Sequence, residues 1–120
     1  MPNLLESNTL SVDGRSVGET VILLTEIDLS NNCSLHLHLD LVGRDFDNNI
    51  TYQLDTEVLM QKNEIGEVTH NIPSNNLNKL PIAAAGAPYV SVSNDSLYVH
   101  TDSSMNIVIW NGKLVIQSVY

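Results

Sequence analysis

The sequence predicts an all-β protein, an antiparallel β-sandwich or barrel-like domain of about eight to nine short strands with no substantial helix. Three observations support this prediction. In residues 34–42 (S-L-H-L-H-L-D-L-V) leucine recurs at every second position, the period of a half-buried strand, whose side chains alternate between two faces. Runs rich in β-branched residues recur along the chain, separated by Gly, Asn, Asp and Ser. Aromatic residues make up only 5% of the chain, so Leu, Ile and Val must fill the core.

The size and charge of the chain limit its organisation and its partners. At 120 residues it is expected to form one β-sandwich domain over residues 19–120, preceded by an N-terminal arm or edge segment over residues 1–18. The 14 acidic and 5 basic residues give a net charge of −9. Binding to nucleic acid or to an anionic membrane surface requires clustered Lys and Arg, which the sequence lacks. We therefore expect neither partner.

No targeting or membrane segment is recognisable. The N-terminal residues lack the basic start and apolar run of a signal peptide. No stretch approaches the roughly 20 apolar residues of a membrane span. Cys33 is the single cysteine, so no intrachain disulfide is possible. Synthesis in a cytoplasm is expected.

The first half of the chain predicts an edge segment followed by strands. Residues 1–18 are mostly polar and predict a short edge strand at 10–12, with the first eight residues ordered only by a partner. Leu59 interrupts the alternation of apolar and polar residues in the strand predicted at 50–62 and predicts a bulge or a bend there. The strands predicted in this half after the edge strand are residues 20–29, 34–42, 50–62 and 67–72.

The second half is less regular. Residues 73–88 have no periodic pattern and are predicted to be a loop, either a crossover between two sheets or a functional segment. Asn94-Asp95 predicts a hairpin turn between two alternating runs. The strands predicted in this half are residues 89–93, 96–101, 105–110 and 113–119.

The C-terminal segment predicts a β-hairpin that turns at Asn111-Gly112. Asn-Gly between two apolar runs is the strongest short-range hairpin signal, because a type I′ turn needs two residues that tolerate positive φ. Such a turn places Trp110 opposite Lys113. Both faces of this hairpin are apolar near its tip, so either it lies between two sheets or one face is buried against another chain. The second alternative predicts a self-association interface formed by Val108, Trp110, Lys113 and Val115.

His36, His38 and Asp40 are the one arrangement that resembles a metal site. Alternate side chains of a strand share a face about 6.6 Å apart, and two His with one carboxylate is the ligand set of facial-triad iron sites. These donors would act within one chain or where three copies meet on a trimer axis. Exposed strand faces commonly carry such residues, so a solvated or interfacial polar face is the leading interpretation. No metal or other cofactor is expected.

No catalytic signature stands out. A Gly-rich phosphate loop, a nucleophile elbow and a Cys/His pairing are all missing from the sequence. Asp45-x-Asp47-x-Asn49 matches the start of a calcium loop, but Ile50 and Thr56 stand where that loop needs Gly and Glu. A hairpin loop with self-bonding Asp and Asn side chains explains the motif better. The chain is therefore not expected to be an enzyme.

Several short motifs together carry a family resemblance. In order they are V-G-R-D at 42–45, G-E-V-T at 66–69, V-S-V-S-N-D-S-L-Y-V-H-T at 90–101 and N-I-V-I-W at 106–110. Over residues 20–119 the pattern resembles the small β-sandwich domain of tailed-bacteriophage virion proteins, found on tail fibres and on head-decoration or tail-accessory proteins. In that family a Gly-Arg pair closes the first long strand and a Trp lies in the closing strand, and Gly43-Arg44 and Trp110 match these positions. The family's closing strand continues past the Trp, where this chain has Asn111-Gly112.

The resemblance implies a non-enzymatic structural protein located in the virion, a capsid decoration or a tail or head accessory protein. Such proteins self-associate, typically as homotrimers, and dock on capsid or tail proteins. Residues 1–18 and 73–88 are then the expected docking segments. Their apolar candidates are Leu4, Leu5, Leu10, Leu77, Leu80 and Ile82.

Two other functions remain open. A receptor- or glycan-binding module at a fibre tip would stack a host-surface sugar on exposed aromatic residues. The aromatic candidates are Tyr89, Tyr98 and Trp110. A metal-dependent enzyme would use the His36, His38 and Asp40 face.

Overall fold

The protein consists of antiparallel strands in two sheets, in a computed structural model that describes residues 5–119 and their side chains from Ser7 onward. This part of the chain contains no helix, and so none that is long and apolar enough to cross a membrane. The predicted all-β fold is confirmed for it. The strands are β1 (Leu5–Val17), β2 (Val21–Glu26), β3 (Cys33–Asp45), β4 (Ile50–Lys62), β5 (Val68–Leu80), β6 (Tyr89–Ser93), β7 (Ser96–His100) and β8 (Ile107–Val119).

The two sheets differ in length and form a sandwich. The larger has the order β1-β8-β3-β4-β5, and each of its strands is 13 residues long. The smaller has the order β2-β7-β6, with strands of 5 or 6 residues. The larger strands span about 44 Å at 3.4 Å per residue, which explains the elongated shape of 53 × 21 × 21 Å. β4 has the bounds predicted for it, residues 50–62, whereas the other strands of the larger sheet are longer than predicted.

The core forms where the alternation of the sequence turns apolar residues inward. In β3 the inward residues Leu35, Leu37, Leu39 and Leu41 are buried, and each buried leucine contributes about 1.5–3 kcal/mol to folding. Segment 27–32 extends this core beyond the short strands of the smaller sheet by burying Ile27 and Leu29. The largest fully buried side chains are Trp110, Tyr52, Leu37, Leu39, Leu41, Leu54, Leu97, Met105 and Leu114.

The predicted hairpin turn at Asn111-Gly112 is wrong, because both residues lie in the middle of β8. Gly112 pairs with Val12 on one side and with Leu41 on the other. A Cβ atom on Gly112 would lie 2.3 Å from the carbonyl oxygen of Asp40. The glycine thus allows the β3 backbone to approach closely, a known role of glycine within strands. The strand continues past Trp110, as the family resemblance implies.

Two edge strands are longer than the sequence predicts. β1 pairs with β8 from Leu5 to Val17, whereas only residues 10–12 were expected to be strand. β5 continues through Pro73 to Leu80, into the segment predicted to be a loop. Proline is compatible with a strand at the edge of a sheet, where its missing N–H can face away from the neighbour. The bulge predicted at Leu59 is not in β4, which pairs with β3 in unbroken register past this residue. The register shift between Glu57 and Leu59 in the β4–β5 pair instead places the extra residue in β5, between Asn71 and Ser74.

Candidate functional site

The outer face of the larger sheet carries a polar centre, formed by His36, His38, Asp40, Gln53 and Asp55. Nε2 of His38 lies 2.6 Å from Oδ1 of Asp55 on the neighbouring strand. Gln53 donates a hydrogen bond to Asp40 with a length of 2.9 Å. Nδ1 of His36 lies 3.2 Å from the side-chain oxygen of Gln117.

These contacts decide what the predicted metal-ligand candidates do. His36, His38 and Asp40 each engage a different side chain and do not converge on a common point. Within residues 7–119 no group of three or more His, Cys, Asp or Glu side chains has a metal-binding arrangement. The two histidines and Asp55 are each more than a third exposed, so these side-chain contacts are screened by solvent. The polar centre is therefore an ordered, solvated surface.

An apolar end lies beside this polar centre, on the same outer face. Ile109 and Ile107 project from β8, Val42 projects from β3, and Val17 ends β1. Phe46 follows β3 directly and is 68% exposed. Each of these side chains is more than a third exposed. Together they form one corner of the sheet, because Val17 pairs with Ile107 and because Val42 and Ile109 lie on adjacent strands.

Arg44 holds this corner in place. Its guanidinium donates to the Thr51 hydroxyl at 3.1 Å and to the side-chain oxygen of Asn49. The same group lies 5.4 Å from the centre of the Phe46 ring, within cation–π range. The exposed ring is thus supported by a side chain that is itself fixed by two hydrogen bonds.

Asp45 fixes the loop that carries Phe46. Its buried carboxylate accepts hydrogen bonds from the backbone and side chain of Asn48 and from the backbone N–H of Asn106. Burial alone would raise the pKa of Asp45, but these hydrogen bonds together outweigh it and hold the pKa below its usual range. The first carboxylate of the calcium-loop motif is thus already satisfied, by Asn48 of its own loop and by the backbone of Asn106.

A groove of about 480 Å³ lies at the β5 edge of the larger sheet, beside Leu80 and Ile82. The loop that begins there is fastened by polar contacts. Lys79 donates to the carbonyl oxygens of Ala84 and Gly86, and the Tyr52 hydroxyl donates to that of Ala85. The loop is therefore held against the sandwich, although it lacks regular structure.

Asp102 fastens the far end of the same loop by accepting the backbone N–H of Ala87. The pKa of Asp102 lies below its usual range, chiefly because the Ser104 side chain donates a hydrogen bond to its carboxylate. Burial acts in the opposite direction, and the Ala87 and Ser104 N–H groups and the Lys79 charge lower the pKa further. Burial, followed by the nearby carboxylates of Asp45 and Asp102, raises the pKa of Tyr52 and keeps its hydroxyl protonated.

The predicted docking residues have different surroundings. Leu4 lies outside the described residues, and Leu5 is described only through its backbone, which begins β1. Leu10 borders a second groove, of about 320 Å³, and Leu77 packs partly buried against the core. Leu80 and Ile82 are exposed, Ile82 to 85%.

The predicted self-association interface requires a correction. Val108 and Trp110 are fully buried inside the sandwich and have no surface to offer a partner. The Trp110 indole N–H donates to the Ser16 hydroxyl at 2.9 Å, and the indole ring occupies the space above Gly43. Because β8 does not turn, Lys113 and Val115 lie on the opposite, outer face. The prediction stays open only for these two residues.

The outer face of the smaller sheet carries an aromatic face, formed by Tyr89, Ser91, Tyr98 and His100. The Tyr89 and His100 rings stack with centroids 4.4 Å apart and an interplanar angle of 9°. Nε2 of His100 lies 2.7 Å from the Ser91 hydroxyl. Tyr89 is 50% exposed. Of the three predicted sugar-stacking residues, Tyr89 and Tyr98 share this sheet, whereas Trp110 is buried.

Sequence reasoning missed the apolar end. One signal was available, because the outward row Ser34, His36, His38, Asp40 of β3 continues with an apolar residue, Val42. Phe46, the single phenylalanine, also stands in an otherwise polar loop. Ile107 and Ile109 could not be assigned to the outer face while β8 was predicted to turn at Asn111-Gly112.

Comparisons with known proteins place the chain in no family. No protein-family model matches it, and no curated protein matches it. Among solved structures it is similar to the tailspike protein of Acinetobacter baumannii phage AM24, with a TM-score of 0.43 and 8% sequence identity. That match covers 98% of this chain and 26% of the tailspike chain, so the chain spans about a quarter of that protein's length.

Proposed function

We propose that this chain is a non-enzymatic structural protein of a tailed-phage virion that docks on a capsid or tail protein through its apolar end. The observation that carries this proposal is the corner formed by Val17, Val42, Phe46, Ile107 and Ile109, all exposed on one outer face. Contiguous exposed apolar patches mark protein interaction sites. The virion context rests on the resemblance of the sequence motifs.

Charge favours an acidic partner surface for this corner. Arg44 lies within it, and Arg15 pairs with Ile109 across the β1–β8 ladder. Two of the five basic residues of a chain with a net charge of −9 therefore border the apolar end. Complementary charge at the rim of an interface mainly steers association and fixes orientation.

The proposal includes self-association, for which the resemblance implies a homotrimer. Lys113 and Val115 on the outer face remain candidates for that contact. A capsid decoration and a tail or head accessory protein are both compatible with it. Sedimentation velocity measurements on the full chain would give the subunit number directly.

The docking proposal is tested by incorporation into particles of the encoding phage. We expect Phe46→Ser combined with Ile109→Thr to reduce the copy number in purified virions at least tenfold, measured by quantitative mass spectrometry. Ile65→Ser is the matched control, because Ile65 is 79% exposed in the turn between β4 and β5, outside the apolar end. Absence of the unaltered chain from virions would refute the virion role. Equal incorporation of all variants would refute the docking surface.

A second candidate function is glycan binding at the aromatic face. The half-exposed Tyr89 ring, stacked on His100 beside a hydroxyl, offers the apolar surface and polar groups that sugar recognition uses. Binding of host-surface glycans that Tyr89→Ala abolishes and Phe46→Ser leaves unchanged would support it. Binding that responds equally to both substitutions would argue against it.

A further inference from the structure

The four edge strands of the sandwich are unequally protected against pairing with other chains. An exposed edge presents unpaired N–H and C=O groups, and natural proteins blunt it with short strands, proline, bulges or charges. β2 and β6 are only 6 and 5 residues long, and β2 also has a register shift. β5 is long but contains Pro73, and its pairing with β4 is interrupted by a register shift that places an extra residue in β5. Three of the four edges therefore carry a protective feature.

β1 is neither short nor interrupted by proline or a register shift, and its two exposed charges, Asp13 and Arg15, are of opposite sign. It has 13 residues without proline, and it pairs with β8 in unbroken register from Leu5 to Val17. No further strand lies along its other side within residues 5–119. The longest regular edge of the described protein is thus also its least protected one.

We propose that β1 is the site at which a second copy of this chain adds to the larger sheet. The two β1 strands run antiparallel about a twofold axis and join two five-stranded sheets into one continuous sheet. In such an isologous contact each residue meets its counterpart reciprocally. The inference concerns the edge of the sheet and does not rest on the docking surface proposed above. It gives a twofold dimer in place of the homotrimer that the family resemblance implies.

The charges on β1 favour a second copy of this chain as the strand that pairs with this edge. Asp13 and Arg15 are exposed, two residues apart, and project from the same outer face. Their neighbours on β8 are Asn111 and Ile109, which are uncharged. An axis at Gly14 pairs residues 11–17 of the two copies, because β1 ends at Val17. It places Asp13 of each copy opposite Arg15 of the partner subunit, so that two opposite-charge pairs form. Opposite charges directly across an antiparallel pair are stabilising, and like charges are destabilising.

The same arrangement makes the register testable by charge reversal. Asp13→Arg alone leaves two arginines opposite each other at both pairs, and Arg15→Asp alone leaves two aspartates. The double variant Asp13→Arg/Arg15→Asp exchanges the charges and restores both pairs. All three variants alter exposed side chains, so we expect them to fold like the original. Circular dichroism and the fluorescence of the buried Trp110 check this expectation.

The measurement is sedimentation velocity of the full chain over a concentration series at 0.15 M salt. We expect a dimer whose dissociation constant rises at least tenfold in each single variant and returns to within about threefold of the original in the double variant. In parallel, hydrogen exchange should show that, within residues 11–17, the alternate β1 amides not bonded to β8 become protected as concentration rises. Amides along the free edge of β6 serve as the control and should not respond.

Three results would overturn the proposal. The chain could remain monomeric at the highest concentration, or it could associate without protection of β1. The third is association with β1 protected but equally strong in all charge variants, which would exclude the register that defines the pairing. A trimer whose β1 amides stay unprotected falls under the second result.

Discussion

Gly112 offers the sharpest test of the long closing strand, through the substitution Gly112→Ala. The added Cβ would lie 2.3 Å from the carbonyl oxygen of Asp40 and 2.9 Å from the Cα of Leu41. Both contacts are with the backbone of β3, which is paired on both sides. No side-chain rotation can relieve them, so the β3 and β8 strands must separate locally.

The expected magnitude follows from two opposing terms. Overpacking a well-filled interior costs about 1–3 kcal/mol, and contact with a fixed backbone belongs at the upper end of that range. Replacing a glycine within a strand returns about 0.5–1 kcal/mol through the lower entropy of the unfolded chain. We therefore expect Gly112→Ala to lower the free energy of unfolding by about 2 kcal/mol, or the melting temperature by roughly 8 °C for a chain of this length.

Gly14→Ala is the matched control. Gly14 is also an inward-facing strand glycine, but its added Cβ would meet the terminal carbon of Ile22 at 2.6 Å, the movable end of a flexible side chain. This variant should stay within about 0.5 kcal/mol of the original. Urea unfolding followed by circular dichroism measures both variants. Equal stability of the two, or a larger loss at Gly14, would refute the close approach of β3 to β8.

Two further substitutions test buried polar contacts. Ser16→Ala removes the acceptor of the Trp110 indole N–H, so it should lower the free energy of unfolding by about 1–3 kcal/mol. Ser11→Ala, on the exposed face of the same strand, should change it by less than about 0.5 kcal/mol in urea unfolding. Equal effects would contradict the buried hydrogen bond. The folded-state pKa of Asp45 lies below its unfolded value, so its contribution to stability is present above about pH 4 and is lost as pH falls through the folded pKa. Asp45→Asn should therefore lower stability at pH 7 and flatten its decline as the pH falls below about 4. An unchanged pH profile would contradict this assignment.

The central strands could be predicted because the local sequence of each one indicates a strand. In β3 and β4 the alternation of apolar and polar residues coincides with the alternation of inner and outer faces. The hairpin between β6 and β7 was predicted from Asn94-Asp95, and Asn94 indeed has a φ of +53°. The edge strands β1 and β5 could not be predicted fully, since polar residues and Pro73 become strand there only by pairing with a neighbour.

The prediction of the self-association interface depended on a single dipeptide, Asn111-Gly112. A turn at Asn111-Gly112 would place Trp110 and Lys113 on one face, whereas an uninterrupted strand places them on opposite faces. One wrong assignment therefore interchanges the buried and exposed sets of β8, which is why Val108 and Trp110 were expected at an interface. The same interchange moves Ile107 and Ile109 to the outer face.

Local sequence cannot distinguish the two roles of that glycine. Asn-Gly between apolar runs is equally compatible with a type I′ turn and with a strand that admits a close neighbour. The deciding fact is the approach of Asp40, more than 70 residues away in sequence, to within reach of a Cβ at Gly112. Tertiary pairing thus determines which side of β8 is buried, and with it which isoleucines the protein can present to a partner.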